Sequence, residues 1–365
     1  MDVRAFYRYV GELVDESTWH FKNKSSVKKS LDAVKDREIP VVIWGASSGG
    51  KRVLSALRDY GVSVKYFVDS DPLKWGSRVS GLEVKDPNSL QRDEVVVIGS
   101  VYEKEMVQVL KGKGIRYVSG VLGLLEFSID GRLLLEKRDL LFEVWQMLSD
   151  DESRDTFVKV LVYAVDGDAS KIAVSRYRQY FHPLVRPVGG DIVVDGGAYN
   201  GDTVLGVVGE VGKDVVIFAF EPEEENYREL VDNTKHLENC VTVRAGLWSA
   251  SKRLKFRGKG VNGHVVDDGD GYFVDVVSLD SFFGGREEIP TLIKMDIEGA
   301  EVEALKGAKD IIVRYKPKLQ ISVYHRTSHL WEVPLMLKEW VPEYKVFFGH
   351  HRMNWWDSVL YCTVG

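Results

Sequence analysis

"VVDGGAYNGDT", residues 193–203, decides how the larger part of this chain folds. A short apolar run ends on Asp195, and Gly196, Gly197, Ala198, Tyr199 and Gly201 follow at once, with Asp202 and Thr203 opening the next segment. Glycine lets backbone approach a ligand because no Cβ stands in the way. In a doubly wound sheet, ligands lie at the carboxyl ends of strands, where the strand order reverses. The stretch therefore reads as a strand, a ligand loop and a helix start. The spacing is D-x-G-x-x-x-G, and the dinucleotide pattern G-x-G-x-x-G is met only loosely, with Ala198 at its middle glycine. An acid directly before the turn would also share its pocket with a pyrophosphate, and like charges repel.

The flanking sequence repeats the strand–helix alternation of a parallel sheet. "DIVVD" is strand one, "TVLGVVGEVG" a helix, and "DVVIFAFEP" strand two, with Glu221 at its end. "ENYRELVDNTKHL" is a helix and "CVTVRAGLW" strand three. Residues 252–278 hold two alternating segments about a Gly/Asp-rich turn, which predicts a β-hairpin insertion. "TLIKMDIEGAE" is strand four running into a helix, and "KLQISVYH" strand five. "YKVFFGH" and "SVLYCTV" are joined only by "HRMNWWD", too short for a crossover helix, so these closing strands run antiparallel. On this frame a ligand with an ammonium and a sulfonium suits the acidic strand ends better than a diphosphate, which points to S-adenosylmethionine. Glu221 can accept hydrogen bonds from both ribose hydroxyls, Pro222 follows it, and Gly246, Leu247 and Trp248 are placed to wall an adenine.

"VVDGGAYNGDT", "FAFEPEEENYREL", "LIKMDIEGAE" and "WWDSVLYC" together resemble the FkbM family of S-adenosylmethionine-dependent methyltransferases over about residues 185–365. "DDESRDTF" reads as an upstream extension. The resemblance implies a seven-strand class I methyltransferase sheet and, usually, O-methylation of a hydroxyl. It carries Asp195, Gly197, Tyr199 and Glu221 over as cofactor contacts, and Asp296, Glu298 and Glu301 as an acidic cluster. "GHHRMNWW" departs from the usual pattern and leaves the acceptor pocket undefined.

A second, smaller α/β unit precedes this one. "PVVIWG", "VSVKYFVDSD" and "DEVVVIGS" are strands, and "KRVLSALRDYG" and "KEMVQVLKGKGI" helices. "IWGASSGG" places Gly45, Ser47, Ser48, Gly49 and Gly50 after the first strand, and Asp69 ends the second, near the spacing of a ribose-binding acid. "FVDSDPLKWGSRVSGLEV" is similar to small nucleotide-binding domains attached to sugar-modifying enzymes, which implies a nucleotide or nucleotide-sugar ligand. A Rossmann-like packing module that binds nothing fits the same residues. The expected fold is thus α/β with two doubly wound Rossmann-like domains: N-terminal helices over 1–38, the nucleotide domain over 39–118, a helical connector over 119–184 and the methyltransferase domain over 185–365.

Methyl transfer to an alcohol needs a proton acceptor, and a group with a pKa near neutral serves best. His325, ending strand five before "RTSH", is the first candidate; His350 and His351 in the closing loop are second, and His264 on the insertion third. Asp296, ending strand four, is placed to orient the acceptor, act as base or hold the donor's ammonium. Glu298 joins it as a cofactor contact, while Glu301 suits the dipole of the following helix. Three acids in six residues also offer oxygens to Mg²⁺. No histidine is interleaved among them, and acids at helix starts are common, so no resident metal is assigned. Trp331, Trp355 and Trp356 present rings for packing or for stacking on a sugar.

Composition sets outer bounds. The chain has 365 residues, 44% of them hydrophobic, and a net charge of −6, which argues against a nucleic-acid surface. Cys240 and Cys362 stand far apart, outside any CxxC, which fits a reducing compartment. Charges interrupt residues 1–20, so no signal peptide or membrane anchor is expected, and the cytoplasm is the default location. A small-molecule acceptor is the expected partner, and a homo-oligomer is left open. Two other readings remain: a non-catalytic nucleotide or nucleotide-sugar scaffold, and an NAD(P)-dependent oxidoreductase, which lacks a Tyr-x-x-x-Lys acid pair near a strand end.

Overall fold

The computed structural model describes residues 26–100, 102–119, 121, 131–166, 172–257, 264–265 and 272–365. Of the expected N-terminal helices, Ser26–Asp36 is helical, and those over 3–25 lie outside the described residues. Two units each carry a main sheet.

The first unit holds β1 (Val41–Trp44), β2 (Val64–Val68), β3 (Arg78–Val79), β4 (Leu82–Lys85), β5 (Val95–Ile98) and β6 (Arg116–Val118), in the order β3-β4-β2-β1-β5-β6. All pairings are parallel except that of β3 with β4. β1 and β5 are central and buried along their whole length, which is why "VVIW" and "VVVI" are continuous apolar runs rather than alternating ones. The helix Ser48–Asp59 buries Val53, Leu54 and Leu57 as its sequence predicts. Its first turn presses on the strand ends: a Cβ on Gly50 would lie 1.8 Å from the Gly45 carbonyl oxygen, and one on Gly99 2.7 Å from the Gly50 Cα. These glycines are packing contacts between backbones.

The second unit holds β7 (Asp191–Gly196), β8 (Val215–Phe220), β9 (Cys240–Val243), β10 (Gly246–Leu247), β11 (Lys252–Arg257), β12 (His264–Val265), β13 (Tyr272–Val277), β14 (Leu292–Met295), β15 (Lys318–Ser322), β16 (Lys345–His350) and β17 (Ser358–Thr363). Seven form one sheet in the order β16-β17-β15-β14-β7-β8-β9. β17 is antiparallel to both β15 and β16, as the short closing connection requires. The chain runs outward from β7 through β8 to β9, then returns to β14 on the other side of β7, so the order reverses between β7 and β14. The insertion is a second sheet, β10-β13-β11-β12, built on the expected β11–β13 hairpin with Lys252 opposite Val276.

Between the main sheets in sequence, helices cover Gly131–Glu136, Arg138–Met147 and Asp151–Asp166, the last started by Asp150, whose carboxylate accepts from the Ser153 amide at 2.7 Å. The connector is not helical to its end. Residues 172–190 carry no regular element, because Pro183, Pro187 and the Gly189–Gly190 pair cannot continue a helix. This strap is held by Gln320, which donates to the Tyr180 and Val185 carbonyls, and by the rings of Tyr177 and His182 against Tyr361. Among the described residues no helix is long and apolar enough to cross a membrane.

Gly50→Ala should destabilise the first unit by about 1–3 kcal/mol, because the added methyl has only backbone to displace. Urea denaturation followed by the fluorescence of Trp44, which is 4% exposed, would read the loss as an earlier midpoint.

Candidate active site

The site is assembled where the sheet order reverses. β7 ends on Asp195 and Gly196, and β14 ends on Met295, with Lys294 paired opposite Asp195 in register. The two strand-end loops then touch. Gly197 has φ +72°, and a Cβ there would sit 1.9 Å from the Asp296 carbonyl oxygen. Gly196 is similarly tight, 2.6 Å from Leu247. The Gly197 and Ala198 amides both donate to the Phe220 carbonyl at 3.0 Å, which ties the loop to the end of β8. Tyr199 and Glu298, one in each loop, take the left-handed conformation rare for residues with a Cβ, at φ +48° and +55°.

The two acids expected to grip a donor sit differently from expectation. Asp195 is 1% exposed, and its described partner is Lys294, with Nζ 2.7 Å from Oδ1. Lys294 also donates to the Gly197 carbonyl at 2.8 Å. Burial opposes the lysine's charge, but Asp195 and Asp296 outweigh it and hold its pKa above the ordinary value. Asp195 is therefore a buried anchor for the loop, neutralised by a lysine that sequence reasoning assigned no role. Glu221 is buried too and accepts from the Tyr199 amide at 3.0 Å and the Glu223 amide at 2.9 Å. Burial raises its pKa. Pro222 follows it and is half-buried against Gly246, Trp248 is half-buried, and Leu247 is buried. Tyr199, Asp202 and Thr203 are open or half-open at the helix start.

The acidic cluster is real, and it is built around a histidine. His325 Nδ1 lies 2.7 Å from Glu301 Oε1, and its Nε2 lies 3.5 Å from Asp296 Oδ1 and 3.4 Å from Glu298 Oε2. Burial alone would lower the His325 pKa, but Glu301, then Asp296 and Glu298, raise it to about 9. At neutral pH the ring is a cation without a lone pair to offer. The expectation of His325 as base is thus corrected: the ring's partners, which sequence does not display, make it an imidazolium. Glu301 is fully buried, accepts from the Ile297 amide at 3.0 Å, and also faces His329 at 3.3 Å. Asp296 accepts from the Tyr180 and Tyr324 hydroxyls at 2.8 and 3.0 Å. Tyr180 belongs to the strap before the sheet, and nothing in its local sequence marks it.

Asp296, Glu301 and His325 each offer a ligand atom within 4.8 Å of the others. The set does not fit Mg²⁺, which demands near-octahedral oxygen coordination. Here a protonated ring already supplies the cation, both oxygens of Asp296 accept from hydroxyls, and Glu301 Oε1 is taken by an amide and the His325 ring.

His350 ends β16 at the same edge of the sheet, two strands over from β15, and His351 follows it. His350 is fully buried, with Nδ1 2.8 Å from Ser358 Oγ across the β16–β17 pair. His351 Nε2 lies 2.8 Å from the Tyr361 hydroxyl, and burial lowers its pKa to about 4. Both are packing residues of the closing strands, which corrects their candidacy as bases. His264 pairs opposite Arg257 in the insertion. Trp331 and Trp355 are buried and offer no open ring, while Trp356 is half-buried.

In the first unit, Asp69 turns inward. Its Oδ2 accepts from the Ala46 amide at 2.7 Å and pairs with Lys74 at 3.1 Å, and its Oδ1 accepts from the Asp71 amide at 2.9 Å. It is 7% exposed, and these bonds overcome burial to lower its pKa. Asp69 secures the glycine turn, a correction to the expectation of a free ribose-binding acid. Gly45 has φ +114° and abuts Gly99, so its missing side chain serves packing as well. Ser47 precedes the helix without a side-chain capping bond, and Ser48 and Gly49 open it.

The sheet with its antiparallel closing pair defines the Rossmann-like methyltransferase fold. A crystal structure of methyltransferase FkbM from Methylobacillus flagellatus KT superposes on the chain with a TM-score of 0.73, covering 98% of each chain at 23% identity. Residues 195–354 match the family model described as the methyltransferase FkbM domain. A hexuronic acid methyltransferase, AglP, from Haloferax volcanii is 32% identical over 96 residues, 25% of this chain and 40% of that protein. The match thus spans less than half of the curated relative's length.

Lys294→Met should cost about 3–5 kcal/mol in urea denaturation, since it leaves Asp195 charged and buried; adding Asp195→Asn should recover much of it. The cluster also sets a pH dependence. His325 is raised from 6.5 to about 9, so its stabilisation is complete below pH 6.5 and lost as pH rises to 9. Glu298, raised from 4.5 to about 7, withdraws its own stability earlier, as pH rises from 4.5 to 7, and adds little to the fall above that. Urea midpoints should therefore fall between pH 6.5 and 9, and His325→Gln should flatten that fall.

Proposed function

We propose that the protein is an S-adenosylmethionine-dependent O-methyltransferase acting on a hydroxyl of a saccharide, nucleotide-sugar or related natural product. The observation that carries this reading is the open acidic edge at the strand-order reversal. Side chains of Asp296 and Glu298 are 24% and 32% exposed there, beside the exposed Asp202 and Tyr199. Such an edge attracts a cationic ligand and repels a diphosphate. The similarity to the FkbM domain and to a hexuronic acid methyltransferase supports both the reaction and a sugar acceptor.

When bound, the donor supplies an electrophilic methyl group on a sulfonium. The chain's own residues do the rest. Glu221, fixed by two amides, has lone pairs left for ribose hydroxyls. Pro222 and Gly246, which lie against each other, are the proposed walls for a base, with Trp248 two residues further on. Asp296, locked by two tyrosines, fixes the floor on which an acceptor hydroxyl and the methyl carbon are brought together, and that positioning supplies several kcal/mol of the acceleration. For the first unit, nucleotide or nucleotide-sugar binding is retained as a proposal at the amides of Ser48–Gly50, with Asp69 in a structural role.

Calorimetry with S-adenosylhomocysteine tests the donor site. Wild type should bind it, Glu221→Ala should weaken binding roughly tenfold to a hundredfold through lost ribose bonds, and NADH should not saturate. Absence of S-adenosylhomocysteine binding to wild type would remove the proposal.

A further inference from the structure

The cluster raises a question that the fold does not answer: with His325 protonated, what takes the acceptor's proton? Four ionisable side chains meet there, and their oxygens are unequally committed. Glu301 is fully buried, with Oε1 bonded to an amide and to His325, and Oε2 3.3 Å from His329. Asp296 spends one oxygen on each of two tyrosine hydroxyls. Glu298 is different: its side chain is 32% exposed, and its described partner is His325 alone, 3.4 Å from Oε2. The left-handed backbone at Glu298, φ +55°, is the local strain that such sites store.

Resting on the methyltransferase reading above, we infer that Glu298 is the group that takes the hydroxyl proton, and that His325 is a fixed imidazolium that holds the Glu298 carboxylate in place. The acceptor's O–H proton passes to Glu298 as the oxygen's electron pair forms the bond to the methyl carbon. The carbon–sulfur bond breaks with its pair going to sulfur, leaving a neutral thioether, and Glu298 later releases the proton to solvent. The charged groups facing Glu298 are His325, Asp296, Glu301 and Glu221, and Arg326 lies beside the neighbouring Gly299. Burial and the three acids raise Glu298 to about 7 against the pull of His325, so it exchanges a proton near neutrality, as a base requires.

A proton count on ligand binding tests this without an acceptor. Calorimetry of wild type in buffers of different ionisation enthalpy, with S-adenosylmethionine and S-adenosylhomocysteine compared at pH 7, isolates the effect of the sulfonium. A positive charge beside Glu298 should expel its proton, so the cationic ligand should release up to about half a proton more than the neutral one. The difference should vanish in Glu298→Gln while S-adenosylhomocysteine binding persists. In His325→Gln, which removes the neighbouring cation, the release should move to higher pH. A difference that survives in Glu298→Gln, or is absent in wild type, overturns the assignment and leaves the methyltransferase reading standing. Failure of both ligands to bind wild type removes that reading and this inference with it. With p-nitrophenyl glucuronide as a probe acceptor, Glu298→Gln should lower methyl transfer about a hundredfold or more, and an unchanged rate would equally overturn it.

Discussion

The ends of β7 and β14 can lie side by side only because Gly197 has no Cβ. Any side chain there would meet the Asp296 carbonyl at 1.9 Å, and the positive φ excludes most residues independently. That contact places the Asp195 loop against the Asp296 loop. From it follow the pairing of Lys294 with Asp195, the reach of Tyr180 and Tyr324 to Asp296, and the gathering of acids at one edge of the sheet.

Charge then decides what the edge can hold. Asp195, Glu221, Asp296, Glu298 and Glu301 converge there, and the buried cations that answer them are Lys294 and His325. Lys294 cancels the innermost acid, and His325 is shared among three. The outer acids are left with negative charge facing open space. A cationic small molecule can relieve that imbalance, whereas a diphosphate would worsen it. The same balance explains why a histidine at a strand end is not a base here: its protonated form is the counterion the acids require.

Much of this was legible in the sequence. The alternation of strands and helices gave the sheet, and the seven residues between the closing strands gave their antiparallel sense. Glu221 and the acidic cluster were legible because acids at strand ends stand out against apolar runs. What was hidden depended on partners distant in the chain. Lys294 reads as an ordinary strand residue until Asp195 lies opposite it. Tyr180 bonds Asp296 across 116 residues from a strap that prolines keep irregular. β3, β4 and β6 are short edge strands whose "RV", "LEVK" and "RYV" carry no continuous apolar signal. Asp69 had the spacing of a ribose ligand, but Ala46, Asp71 and Lys74 claim it first.

The central claim is that the reversal between β7 and β14 is the seat of a cationic adenosyl donor. A crystal structure of the protein with S-adenosylhomocysteine tests it most directly. The account predicts the ribose hydroxyls on Glu221 and the sulfur facing Glu298. Density for the ligand elsewhere, such as along Gly45–Gly50, with the Glu221 edge left to solvent, would contradict it.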